Sequence, residues 1–273
     1  MKRRLSTLFL IILLLTGLGL LLYPALSDYV NSLRQSRDIS TYAESVTQMD
    51  RDVYAQLWEE AIDYNAALPS KHDRLSLSED ELDLYRSLLD VTGNGILGYI
   101  EIPAIHCSLP VYHGVAPAVL QTAVGHMEGT SLPTGGKSTH CVLSGHRGLP
   151  SAKLFTDLDQ LGKGDLFLLR VLDETLTYEV DQILIVEPHE VDALEIIEGE
   201  DLCTLVTCTP YGVNSHRLLV RGHRVENQET AKTVHVTADA LQIEPILVAP
   251  VVAAPILLAL LIVMLVSTRK KKQ

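Results

Sequence analysis

Two long runs without a single charge bracket this chain, and they constrain it more than any other feature. From Leu5 to Ser27 no residue is charged, and Leu8–Tyr23 is almost wholly apolar; Pro245 to Thr268 is uncharged as well. A helix needs about 20 such residues to cross a bilayer, so each run is long enough. Lys2, Arg3 and Arg4 precede the first run, and Arg269, Lys270, Lys271 and Lys272 follow the second. Basic residues favour the cytoplasmic side. The pattern predicts a cytoplasmic tip and anchor over 1–27, a second span over 245–268 and a basic cytoplasmic tail over 269–273. Everything between the spans then lies outside the membrane. A cleaved signal peptide is the rival reading of the first run, because Ala25-Leu26-Ser27 offers small residues at cleavage-like spacing. The apolar run is long for a signal-peptide core, which favours a retained anchor.

The intervening segment is acidic. Seven of the 22 Lys and Arg residues lie in the two tails, and no Asp or Glu does, which leaves 15 basic against 34 acidic residues and a net charge of −19. Binding to nucleic acid needs basic patches and is disfavoured. The balance fits a soluble domain held near a membrane surface. The four cysteines, Cys107, Cys141, Cys203 and Cys208, show no metal-ligand spacing and form no disulfide framework. We expect no metal and no cofactor, and free thiols of which one can be chemically useful.

Texture divides the segment in two. Residues 28–95 are polar and helix-prone. Val53, Leu57, Trp58, Ala61 and Tyr64 follow the rhythm of an amphipathic helix. Pro69 ends it, Ser70–Glu81 reads as a loop, and Glu79–Leu89 as another helix. Thr92-Gly93-Asn94-Gly95 marks a boundary. Over 96–225 short strands take over, with Tyr99 and Glu101 alternating with Ile100 and Ile102. Thr139–Ser144 reads as a buried strand, Asp165–Val171 and Thr175–Ile185 as a hairpin, and Leu202–Cys208 and His216–Arg221 as a strand pair. Ala116–Val124 and Ala152–Leu161 are expected to be small helices. The arrangement predicts a mainly β domain, closed or sandwich-like. A polar linker over 226–244 leads to the second span.

Within this frame Cys208 stands out, because it closes an apolar strand and Thr209 and Pro210 follow at once. A thiol is a good nucleophile only as the thiolate, and a free cysteine has a pKa near ~8.5. It therefore needs a base or a cation nearby, and acyl transfer also needs a donor for the developing oxyanion. His146, between glycines in SGHRG (Ser144–Gly148), lies just past a strand and is the best-placed base among ten histidines. Arg217 can return to Cys208 across the Pro210–Asn214 turn, and its planar guanidinium offers paired donors. His216 is its strand neighbour and so faces the other way. His113, His126 and His223 read as turn or surface residues. On these grounds alone, an unremarkable thiol beside a surface arginine remains the simpler reading.

Resemblance changes that reading. TLVTC (Thr204–Cys208) with Arg217 in SHRLLVRG is similar to the active-site signature of sortases, and LSGHRGLPSAKLFTDL (Leu143–Leu158) resembles the segment that carries their histidine. GNGILGYIEIP (Gly93–Pro103), LPVYHG (Leu109–Gly114) and CTPYGVNSHRLLVRGHR (Cys208–Arg224) resemble the class C, pilus-assembling branch. The resemblance covers about Tyr64 to Arg224 and implies a closed sortase-type β-barrel with short helices. It also implies that Cys208 attacks the threonine carbonyl of an LPXTG-like sorting signal and forms a thioester. His146 would then be the acid and base, and Arg217 would hold substrate and stabilise the oxyanion. The acceptor amine implied for this branch is a pilin lysine, and two membrane anchors suit the branch as well.

A peptidoglycan-precursor amine, giving attachment of surface proteins to the cell wall, is the alternative acceptor. A membrane-tethered binding domain with an inactive site is the alternative of a different class. Class C enzymes often carry an Asp-Pro-aromatic lid, and here the matching loop, 70–77, reads His72-Asp73-Arg74-Leu75. Asp73 is expected to pair with Arg217, and Leu75 to cover the thiol. Without the proline and the aromatic ring the loop lacks a fixed φ and some buried area. A solvated linker is the other reading. Cys141 and Cys203 lie five residues before His146 and Cys208. If their strands are parallel and in register, the two thiols are lateral neighbours; cross-strand disulfides are geometrically strained, so free buried thiols are expected.

Overall fold

Side chains that point to alternate sides give each strand two faces, and closing the sheet on itself makes one of them a core. The structure, a computed structural model, describes residues 2–71 and 73–227. The expected second span and basic tail, and all but two residues of the linker, lie outside the described residues. Eight strands run β1 (Ile96–Ile102), β2 (Cys107–His113), β3 (Val124–His126), β4 (Thr139–Ser144), β5 (Leu166–Val171), β6 (Glu174–Val186), β7 (Asp201–Thr209) and β8 (His216–Val225). They close in the order β1-β2-β3-β4-β7-β8-β6-β5. Closure leaves no unpaired edge for another chain to join.

Two of the pairings are parallel, β2 with β3 and β4 with β7, and the rest are antiparallel. Side chains alternate across a strand. Cys141 and Leu143 on β4, Cys203 and Leu205 on β7, and Leu218 and Val220 on β8 therefore point inward with Phe167 and Tyr178. The Phe167 and Tyr178 rings stack 5.5 Å apart. Each large apolar side chain buried this way contributes about 1.5–3 kcal/mol. The opposite face of the same strands makes a smaller cluster of Val142, Val206, Leu219 and Leu194.

By contacts the chain divides into two units. In the described residues the first is the helical stretch up to Val30, and the second begins at Asn31. Helix α1 (Lys2–Thr47) runs without interruption through Pro24 and past the boundary expected at 27/28. Phe9–Thr47 within it is long and apolar enough to cross a membrane. Beyond Asn31 the helix is tied to the barrel. Gln35 donates to the Thr122 carbonyl at 2.6 Å. The buried Tyr42 hydroxyl donates to the Leu97 carbonyl and accepts from the Leu172 N–H.

Helix α2 (Arg51–Ala67) is capped by Asp50, and α3 (Glu79–Ser87) by a reciprocal Ser78–Glu81 capping box. The other two expected helices are corrected. Only Pro117–Leu120 of the first forms a helix, α4, and Val124 already belongs to β3. Residues 152–161 form turns ending in one 3₁₀ turn, Leu158–Gln160. Leu154, Phe155, Leu158 and Leu161 all bury there against the barrel. The Phe155 N–H bonds the carbonyl of His146 rather than a residue four back. Tertiary packing has overridden local propensity.

Candidate active site

Register is what assembles the site. Strands β4 and β7 pair in parallel from Thr139 with Asp201 to Ser144 with Val206. Continuing that offset two positions brings His146 level with Cys208. The extension is held by hydrogen bonds, since the Gly145 N–H donates to the Val206 carbonyl at 3.0 Å and the Thr207 hydroxyl donates to the Gly145 carbonyl at 2.7 Å. On the other side of the thiol, Cys208 lies directly across from Arg217 in the antiparallel β7–β8 pair. Directly opposed residues share a face, so Cys208 and Arg217 lie on the same face at the end of the barrel.

Cys208 is half-buried rather than sealed. The Arg217 Nη1 donates to the carbonyls of Asn214 (3.3 Å) and His216 (3.1 Å), which fixes the guanidinium over the β7–β8 turn. Partial burial lowers the pKa of His146, so its imidazole is neutral at pH 7 and able to accept a proton. Thiol and imidazole are not hydrogen-bonded to each other among the described contacts. His216 is opposite Thr209, on the other face, and pairs with the Ser215 hydroxyl at 2.8 Å. Upstream of Cys208, Val206, Leu219, Val142 and Leu194 form a small buried apolar cluster on the outer side of the barrel wall.

Arg147 carries no mark of its own in the sequence, yet it links the two halves of the site. Its side chain is largely buried; it forms an ion pair with Asp159 and reaches the Thr209 hydroxyl at 3.5 Å. It also lies 6.0 Å from the centre of the Tyr211 ring. Gly148, at φ +76°, has no Cβ because one would strike that ring. The histidine loop is thus fastened to the residues that follow Cys208. The one sequence signal is its place beside His146, since Asp159 is remote along the chain.

The 70–77 loop differs from expectation. Asp73 is exposed and makes no ion pair with Arg217, whose bonds go to the two carbonyls named above. Leu75 is at the edge of exposure, 36%. The residue that holds the loop is Arg74, only 7% exposed, which donates to the carbonyls of Gly129 (3.1 Å) and Leu194 (2.9 Å) and lies 3.5 Å from Glu195. Asp73 carries no such anchor because its short, charged side chain gains more from water than a lone surface pair would supply.

His126 is also corrected, since it is fully buried rather than at a turn or on the surface. Its Nδ1 accepts from the Tyr85 hydroxyl at 2.9 Å, and its Nε2 donates to the Ser131 carbonyl at 2.8 Å. A cavity of about 750 Å³ opens between α2 and the Thr134–Thr139 loop. It adjoins the beginning of β4 and β7, and so lies at the far end of the strands from Cys208. Among the described residues no three His, Cys, Asp or Glu side chains converge as a metal site would.

A family model described as the Sortase domain matches residues 100–225. Sortase C1 of Streptococcus agalactiae is 50% identical, covers 70% of this chain and 100% of its own, and superposes with a TM-score of 0.67. This chain belongs to the sortase family. Sortase C of Streptococcus pneumoniae is 45% identical, with a TM-score of 0.62 over 70% of this chain and 97% of its own. Sortase D of Bacillus subtilis is 30% identical over 131 residues, 47% of this chain and 63% of that protein. The matched segment is thus just under two-thirds of that curated relative. With such solved neighbours, the sortase described here sits with the class C branch of these cysteine transpeptidases.

Proposed function

We propose that this sortase is a membrane-anchored transpeptidase that joins LPXTG-like sorting signals to a pilin lysine. Cys208 attacks the threonine carbonyl, and the threonine–glycine bond breaks to leave a thioester. His146 takes the Cys208 thiol proton as attack begins and delivers it to the departing glycine amine, then takes one from the incoming amine as it attacks the thioester. Arg217 donates to the developing oxyanion and aligns the peptide. The observation that carries this reading is the lateral placement of Cys208 and Arg217 on one face, with the His146 loop bonded to the same strand. The Streptococcus pneumoniae sortase C structure is described as informative about pilin substrate specificity, and likeness to it favours the pilin lysine as acceptor. Helix α1 supports the first membrane span; the second span, both cytoplasmic termini and an extracytoplasmic catalytic domain complete the proposed topology. The loop 70–77, held by Arg74 to the carbonyls of Gly129 and Leu194, is proposed as a lid over the active site.

The test is incubation of the full chain in detergent micelles with a sorting-signal peptide. Release of the threonine hydroxamate by hydroxylamine, with a Cys208 acyl adduct seen by mass spectrometry, is the expected result. An adduct on Cys107, Cys141 or Cys203 would overturn the assignment. Competition between a pilin and a peptidoglycan-precursor amine then decides the acceptor. Product with the wall precursor alone makes this a wall-attaching sortase, and absence of any product makes it a binding protein.

A further inference from the structure

The mechanism leaves two cysteines unused, and the fold puts them against each other. Cys141 and Cys203 are register partners on adjacent parallel strands β4 and β7. Both face the barrel interior, at 2% and 0% exposure. Neighbouring strands lie about 4.7–4.9 Å apart, and a disulfide requires a Cα separation of roughly 4.4–6.8 Å. Facing inward at the same level, the two side chains are lateral neighbours in the sealed wall. The rest of this inner wall is mostly aliphatic and aromatic.

We propose that Cys141 and Cys203 are a dithiol that oxidises to an intrachain disulfide, stapling together the two strands whose far ends carry His146 and Cys208. A low-molecular-weight disulfide such as glutathione disulfide is a sufficient oxidant. The Cys141 thiolate attacks one of its sulfurs, forms a mixed disulfide and releases one glutathione thiolate. Cys203, after losing its proton, attacks the Cys141 sulfur and releases the second. Two protein thiols and one glutathione disulfide become one protein disulfide and two glutathione thiols. Burial raises the pKa of both thiols. For Cys141 its polar neighbours outweigh burial, whereas Cys203 stays well above its ordinary value. The sealed position has a kinetic consequence. Exchange requires the barrel to open, so the bond forms during folding or slow opening and is afterwards shielded from reductant.

The experiment uses the full chain in detergent micelles, equilibrated under mildly denaturing conditions in glutathione buffers of graded potential and returned to native conditions. Free thiols are then alkylated in strong denaturant, and the digest is read by mass spectrometry. The expected result is a linked Cys141–Cys203 peptide in the more oxidising buffers. The thermal midpoint should rise by roughly 5–10 °C, from the restricted unfolded chain. Brief native treatment with reductant should free half-exposed Cys208 while the linked peptide survives. The double variant Cys141→Ser/Cys203→Ser should lose both the linked peptide and the midpoint shift but cleave sorting peptide at the wild-type rate. Separate alkylation of both thiols at every potential would overturn the proposal, and so would a linked peptide that instead contains Cys107 or Cys208. A linked peptide without a rise in the midpoint would refute the staple. Should the double variant not fold, the wild-type peptide and midpoint decide alone.

Discussion

Strand β7 carries two cysteines five residues apart, and they live in different solvents. Cys203 faces inward, fully buried, with Cys141 as its register partner on β4. Cys208 faces outward at the strand end, half-exposed, with Arg217 across the ladder and the His146 loop bonded alongside. An odd separation along a strand puts two residues on opposite faces. Residue type does not separate the two, because each is a cysteine on the same strand. Solvent access and a fixed cation do. The inner wall serves packing and cohesion, and the outer rim is left to reach a substrate.

The largest effect should come from the rim. Cys208→Ala is expected to abolish cleavage of a sorting peptide without lowering the unfolding midpoint, and His146→Ala to be nearly as severe. His216→Ala should leave most activity, and the ranking of the two histidine variants by peptide-cleavage rate would erase the contrast if it came out reversed. Arg217→Lys keeps the charge but not the planar fork. Loss of one oxyanion donor typically costs about 10²–10³ in turnover. A near-normal rate in the lysine variant would mean that only general positive charge is needed.

Between rim and interior sits His140, whose ring bridges the Glu195 carbonyl and the Thr204 hydroxyl at 2.8 and 2.7 Å. Burial lowers its pKa from 6.5 to about 4. A buried neutral histidine binds its proton more readily when unfolded, so its stabilising contribution is complete above pH 6.5 and is lost as pH falls toward 4. The most that can be lost is about 3 kcal/mol. Unfolding midpoints across that window should fall more steeply in the wild type than in His140→Gln; parallel curves would show that another group governs the acid limb.

The interior gives a smaller and different signature. Tyr85 accepts from the Gly114 N–H at 3.1 Å and donates to His126. Tyr85→Phe strands those groups, at a cost of about 1–3 kcal/mol. Chemical denaturation should register it while peptide cleavage, measured well below the midpoint, stays at the wild-type rate. A fall in turnover without a fall in stability would show that the interior reaches the chemistry after all. The smallest effect concerns the lid. Arg74→Ala should speed alkylation of Cys208 by a small thiol reagent up to roughly tenfold, the factor that about 1.4 kcal/mol provides. Asp73→Ala should not change it. Equal rates in all three proteins would show that the loop does not gate the thiol.

Periodicity and turn chemistry made much of this molecule legible. Thr139–Ser144 was bounded to the residue, because an apolar run between turn-forming residues leaves little freedom. Apolar uncharged stretches marked the long first helix, though not its continuation past residue 27 as one rod. Residues whose partners are far along the chain escaped. Arg74 looked like any solvated loop charge until Gly129 and Leu194 met it. His126 looked like a turn residue until Tyr85, on a helix well before it, closed over its ring. The three-residue strand β3 was too short to announce itself by alternation.

By itself, then, the sequence determined the local terms. These are the apolar length of α1, the alternation that makes two-faced strands, the breaks at glycine and proline, and the placing of a cysteine, a histidine and an arginine at strand ends. Only the tertiary structure decided which strands lie side by side and in what register. A shift of one residue between β4 and β7 would leave every local preference nearly unchanged, yet it would part His146 from Cys208 and Cys141 from Cys203. That register is set by the closure of eight strands around one core, where a slip would turn buried side chains out into water.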